Sequence, residues 1–289
     1  MSFGQSTPYE NERYVDYRYP ISCNYVSDAM VKVDRLAELI DEVETTEKTL
    51  LLVNVTDTAL EPQRRLLERV FGSETVEVAT KQLPDGEENL VCLVDDGEVI
   101  ATSSWDELKQ SFLLINTDRY RTGTRQIETG AFPDVLTGLD EIEFTVRGYP
   151  ASNKEKLLLV IISRCIEFEA LSAGRGEFRV SFQLLSRLDD EHGTRTVYEW
   201  LAESDVSTHV YGVRDGPTVA DELDLTVHAN DDPELRRLWF VVYTPPESLP
   251  SAEPIALIAT ETGPNVWRGL WTYDAGRVDR VQQYVRKTF

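Results

Sequence analysis

The sequence predicts an α/β protein, in finer terms α+β, from three observations. A strongly apolar helical stretch at residues 154–172 runs straight into an alternating strand at 178–184. A βαβ-like order opens the chain ahead of a hairpin, and aromatic strands crowd the C-terminal third. The expected architecture is an N-terminal βαβ-like part with a hairpin and a C-terminal mixed or antiparallel sheet packed by the long helix.

That helix organises the rest. At ~100° per residue, Leu157, Val160, Ile161, Phe168 and Leu171 share one side, and Leu158, Ile162, Cys165 and Ile166 extend the apolar surface. Only a wedge with Lys156, Ser163, Glu167 and Ala170 reads as wet. Arg164 and Glu169 fall among apolar positions, so both are expected to need concealed partners. Gly174 supplies a left-handed stop, after which Phe178, Val180, Phe182 and Leu184 alternate.

Residues 1–32 are Tyr-rich and aperiodic, an extended arm. In the part at 33–115, Leu36, Leu39, Ile40 and Val43 recur at helical spacing behind Asp34, a capping residue. Residues 50–55 follow as a buried strand, 62–71 as a helix with Pro62 in its first turn, and 75–79 as a strand. Strands at 90–94 and 99–102 flank Asp95-Asp96-Gly97-Glu98, a hairpin signal. Residues 105–114 read as a helix.

The polar segment at 116–130 is a linker. In the part at 131–289, residues 132–139 form a short helix, 143–146 a strand, 196–203 a helix and 206–213 a strand. Strands at 239–243 and 255–260 join through a Pro-rich loop that cannot donate to a ladder. A strand at 267–273 and a helix at 275–285, capped by Asp274, complete the chain.

Charge narrows the function. The 51 acidic and 29 basic residues leave a net −22, and seven of the basic residues are Lys. Phosphate-backbone binding needs a basic face, so direct nucleic-acid recognition is excluded. An acidic, Lys-poor surface suits the cytoplasm of a salt-loving archaeon, where self-repulsion is screened within a few ångströms. The start of the chain lacks a secretory signal, and six apolar residues in a row cannot span a bilayer. Cys23, Cys92 and Cys165 are odd in number and widely spaced, which points to reduced thiols.

No motif supplies a nucleophile, base and orienter together. Gly174-Arg175-Gly176 follows a helix instead of opening one, so it reads as a cap and turn, with Arg175 as a minor anion contact. Asp95 and Asp96 sit in a hairpin, which argues against phosphotransfer. Asp189-Asp190-Glu191-His192 lacks calcium-loop spacing and reads as a solvated loop. His209 lies on a strand with Ser207 and Tyr211. The aromatics Trp239, Trp267, Trp271 and Tyr273 read mainly as core, with a ligand pocket as the functional option. The candidate ligand-binding set is therefore Arg164, Glu169, Arg175, Trp267, Trp271 and His209, with no catalytic residue, no metal ligand and no identifiable cofactor.

The runs FPDVLTGLDEIEFTV (132 to 146), ISRCIEFEALSAGRGEFRVSFQLLSRL (162 to 188), VYEWLAESDVSTHVYG (197 to 212), RLWFVVYT (237 to 244) and RGLWTYDAGRVDRVQQYV (268 to 285) together resemble the DICT sensory domain. LAELIDEVETTEKTLLLVNV (36 to 55) resembles its start. The resemblance implies a signal-input module, found with diguanylate cyclases and two-component proteins, and supplies neither catalytic residues nor an agreed ligand. The chain has no room for an attached output domain, so a signalling or regulatory partner in trans is expected. The reading is a cytoplasmic regulatory protein that binds a small molecule or a partner protein. The competing readings are an interaction scaffold in a cell-shape or transcription-regulatory assembly and an enzyme built from the acidic loop near 189 and His209.

Overall fold

Strand pairing divides the β-structure of the described residues into two sheets. The computed structural model describes residues 35–43, 47–56, 64–65, 67–68, 76–116, 132–147, 157–189 and 194–289. Residues Val33–Phe289 belong to one compact unit. The expected arm at 1–32, most of the expected helix at 62–71, and the expected linker apart from Asn116 lie outside the described residues.

The first sheet has the order β2-β1-β3-β4, with β1 Lys48–Val53, β2 Val76–Lys81, β3 Leu90–Asp95 and β4 Glu98–Ser104. β1 and β2 are parallel, as a βαβ opening requires, while β3 and β4 form the antiparallel hairpin. Asp95 pairs with Glu98, and Asp96 and Gly97 both take positive φ, +47° and +83°. This is the two-residue turn whose twist matches the strands, and glycine suits its second position.

The second sheet has the order β5-β11-β10-β9-β6-β7-β8. Its strands are β5 Phe144–Arg147, β6 Arg175–Leu184, β7 Asp205–Val213, β8 Thr226–Ala229, β9 Leu238–Thr244, β10 Ile255–Gly263 and β11 Val266–Thr272. β6, β7 and β8 run parallel, and the remaining pairs are antiparallel, so the sheet is mixed. Both of its faces are buried in the middle. Along β10, Ile255, Leu257 and Ala259 face one core, and Ala256 and Ile258 face the other.

Among the described residues, these helices pack around the sheets: α1 Leu36–Asp41, α2 Trp105–Asn116, α3 Asp134–Thr137, α4 Leu157–Ala173, α5 Thr194–Glu203 and α6 Ala275–Thr288. α1 and α6 cover one face of the second sheet through Leu36, Leu39, Ile40, Val278, Val281 and Val285. α4 and α5 cover the other, in a core continuous with Leu50, Leu52, Val91 and Leu93 of the first sheet. Each fully buried Leu, Ile or Val side chain contributes ~1.5–3 kcal/mol of transfer free energy. The halves on either side of the expected linker therefore share one core.

α4 is the long buried helix that the sequence predicts, but its orientation differs. Ser163, Glu167 and Ala170, expected on the wet wedge, are buried, whereas Val160, Arg164, Phe168 and Leu171 are half-buried and Glu169 is exposed. Polar partners explain the reversal. Ser163 Oγ donates to the Leu159 carbonyl at 2.7 Å and accepts from Trp239 Nε1 at 3.0 Å. Glu167 accepts from Arg164 and from the Tyr198 hydroxyl of α5, the latter at 3.1 Å. Periodicity counted these small and acidic side chains as wet, but each is satisfied inside. Gly174 ends the helix at φ +64°, its N–H bonded to the Ala170 carbonyl at 3.0 Å.

Candidate functional site

The parallel pairing of β6, β7 and β8 places Arg179 beside His209, and Tyr211 beside His228. Alternation sends Phe178, Val180 and Val210 into the core with α4. It leaves Glu177, Arg179, Ser207, His209, Tyr211 and His228 on the opposite face, at the flank of α6.

These side chains form one connected polar cluster. Arg179 is 4% exposed and donates to the Tyr211 hydroxyl and to the Glu177 carboxylate, while its buried Nε–H has no partner. Glu177 also accepts from Gln282 and Arg286 of α6. Its Oε1 lies 3.4 Å from His209 Nε2. His209 Nδ1 and His228 Nε2 are 3.0 Å apart, a distance at which one proton bridges the two rings. The His228 ring stacks on Tyr211 with centroids 4.3 Å apart. The chain has three histidines, and two of them meet here.

The electrostatics follow from burial beside guanidinium groups. Removal from water, and then the Arg179 charge, hold His209 down at about 4 and lower His228 as well. Burial raises the Glu177 carboxyl, but Arg286 and Arg179 outweigh it and keep the group below its ordinary range. At neutral pH the cluster thus holds two cations, one anion and two neutral imidazoles.

Ser207 Oγ lies 3.2 Å from His209 Nε2, which completes a line from Ser207 through His209 to His228. This has the outline of nucleophile, base and orienter, but its chemistry is poor. Glu177 competes for the same ring nitrogen, a neutral His228 carries no charge to stabilise an imidazolium, and a base held near 4 draws a hydroxyl proton weakly. Among the described residues no group of three or more His, Cys, Asp or Glu could hold a metal. What the arrangement does offer is sensitivity to charge. A proton or an anion entering it alters the carboxylate that binds α6.

The six residues expected to bind ligand do not converge on one place in the structure. Arg164 is engaged by Glu167 and by Thr194 Oγ1, the latter at 2.9 Å, so its partner is structural. Glu169 reaches solvent, and among the described residues it has no cationic partner of the expected kind. Shielding by surrounding atoms and the Glu253 carboxylate raise its pKa. Arg175 is exposed at the start of β6, where its carbonyl accepts from Tyr243 at 2.8 Å. Trp267 and Trp271 are 2% and 3% exposed core residues on the α4 face. Trp271 donates to the Leu139 carbonyl at 2.5 Å and lines an apolar cavity of about 30 Å³ with Leu158, Ile161, Ile162 and Cys165. That volume falls far short of the ~150 Å³ that holds a benzene-sized guest. His209 lies across the sheet from Trp267, Trp271 and the α4 residue Arg164.

The sequence reading missed Glu177, Arg179 and His228. His228 sits on β8, a four-residue strand in a polar stretch with little periodicity. The available signal was a second histidine in a chain with three, on a short alternating run downstream of His209. Elsewhere, Asp189 accepts from Val219 N at 2.6 Å as a loop brace, and residues 190–193 lie outside the described residues. Cys92 and Cys165 are buried free thiols, and Cys23 lies outside the described residues. No described helix is long and apolar enough to cross a membrane.

No protein-family model matches this chain, and no curated protein matches it. The resemblance to the DICT domain therefore rests on the quoted residues alone. Among solved structures, the polyphosphate kinase of Porphyromonas gingivalis is similar at 15% identity and a TM-score of 0.36, over 56% of this chain. The match spans about a quarter of that protein, 26% of its length, and at this TM-score it carries no argument.

Proposed function

We propose that this chain is a non-enzymatic cytoplasmic regulatory protein of signal transduction, which binds a small ligand or partner protein and relays the change in trans. One observation carries the reading. The charge-sensitive cluster of Arg179, His209 and His228 is joined through a single carboxylate, Glu177, to Gln282 and Arg286 of α6. A ligand shifts a conformational equilibrium only by binding its states unequally, and this linkage gives α6 such a difference. The DICT resemblance supports the same class of role, and the weak Ser207-His209-His228 chemistry speaks against an enzyme.

The test pairs two measurements on the wild-type chain and Glu177→Gln at high salt. Hydrogen exchange should show protection lost across Ala275–Thr288 and retained in β9–β11. Affinity capture from native-host extract should then show a partner gained or lost with that change. Identical capture by both proteins, despite altered protection of α6, would overturn the relay.

A further inference from the structure

We infer that the cluster around Arg179 is a binding site for a small oxyanion, a carboxylate or phosphate group, and that Glu177 occupies it as an internal stand-in. This rests on the regulatory reading above and names its ligand class. The first support is a surplus of donors. Arg179, Arg286 and Gln282 all converge on the Glu177 carboxylate, with His209 Nε2 at 3.4 Å, so one residue satisfies groups from β6, β7 and α6. Even so, Arg179 Nε–H stays buried and unpaired, on a side chain that is 5% exposed. A buried charged donor left without an acceptor is costly, and an incoming oxyanion relieves it.

Charge gives the second support. In a chain of net −22, two guanidiniums meet one carboxylate by direct contact in this cluster, with Asp279 acting on Arg286 from farther off. Tyr211 and the paired imidazoles add polar groups that donate or accept as the bound anion requires. The third support is access. The Glu177 side chain is 21% exposed and Arg286 52%, while Ser207 and Thr226 are exposed alongside, so Glu177 can swing into water as an anion takes its place. Such an exchange releases Gln282 and Arg286 from the sheet or re-ties them to the ligand. A cation is disfavoured here because both guanidiniums face the histidines.

The experiment uses the full chain in potassium chloride at constant ionic strength, with inorganic phosphate in one arm and acetate in the other. Imidazole nitrogen and carbon-bound proton signals are followed by NMR, since three histidines give a resolvable spectrum. The expected result is a saturable shift of His209 and His228 with at least one anion, the arm that saturates naming the group. Arg286→Gln, at a largely exposed position, should weaken that binding about tenfold, as loss of a charge-assisted bond does. Glu177→Gln should tighten it about tenfold by removing the internal competitor. No saturable shift with either anion, or a Glu177→Gln variant that binds more weakly, overturns the proposal. If binding fails while Glu177→Gln still changes partner capture, the anion assignment falls and the regulatory reading stands. Binding with unchanged capture has the reverse meaning.

Discussion

Acidification should destabilise this protein through His209 in a way that can be isolated by substitution. His209 is held at about 4 by burial and by Arg179 of β6, with His228 of β8 and Arg286 of α6 adding to the effect and Glu177 opposing it. In the unfolded chain the group returns to its ordinary value near 6.5. The folded pKa is the depressed one, so between about 4 and 6.5 the unfolded chain binds more protons. The contribution is complete above 6.5 and is lost as pH falls toward 4. At about 1.4 kcal/mol per pH unit the interval sets a ceiling of ~3 kcal/mol, and partial solvent access reduces it to ~1–2 kcal/mol. Denaturant unfolding of wild type and His209→Gln at pH 7, 6, 5 and 4.5 checks this, because the difference between the two proteins cancels the titration of the many carboxylates. Wild type should lose ~1–2 kcal/mol more than the variant across that range. Parallel stability curves would refute the reasoning.

Two further outcomes follow from the core. Trp271→Ala should cost ~3–5 kcal/mol in denaturant unfolding, because it removes a buried indole, enlarges an existing cavity and leaves the Leu139 carbonyl without its donor; a loss below ~1 kcal/mol would contradict the packing. Burial pushes the Cys165 thiol up to about 12 and also raises Cys92, so neither should react with a disulfide reagent at pH 8 until the chain unfolds. Mass spectrometry of the labelled peptides distinguishes them from Cys23.

The fold was legible where local patterns carry it. Asp96-Gly97 specified a hairpin through backbone conformation, and the apolar density of α4 specified burial. The buried polar side of α4 was not legible, because Glu167 is an interior residue only in the company of Arg164 and Tyr198, which lies 31 positions away. The site was legible on one strand, in His209 with Ser207 and Tyr211. Its partners come from β6, β8 and α6, and parallel register is a nonlocal property that no spacing along the chain encodes. For the aromatics, the main reading as core agrees with the structure, while the pocket option could not be decided from residue type. Trp267 and Trp271 show the same residue type and alternation whether they line a pocket or fill a core, and only the volume left over decides between them.

Salt bears on how this cluster could work in so acidic a chain. α1 and α6 are bound to each other and to the second sheet by arginines in direct contact with carboxylates: Arg268 with Asp41 and Glu143, Arg280 with Glu42, and Arg286 with Glu177. At molar salt the screening length falls to ~3 Å, which removes long-range repulsion among surface carboxylates but weakens contact pairs that exclude water much less. Salt therefore relieves the self-repulsion of a −22 chain, and among these contacts it weakens half-exposed pairs such as Arg268–Asp41 and Arg286–Glu177 more than the buried Arg179–Glu177 pair. The same screening penalises any anion held only by distant charge, so an oxyanion binding here must be held by direct donors such as Arg179 and Arg286.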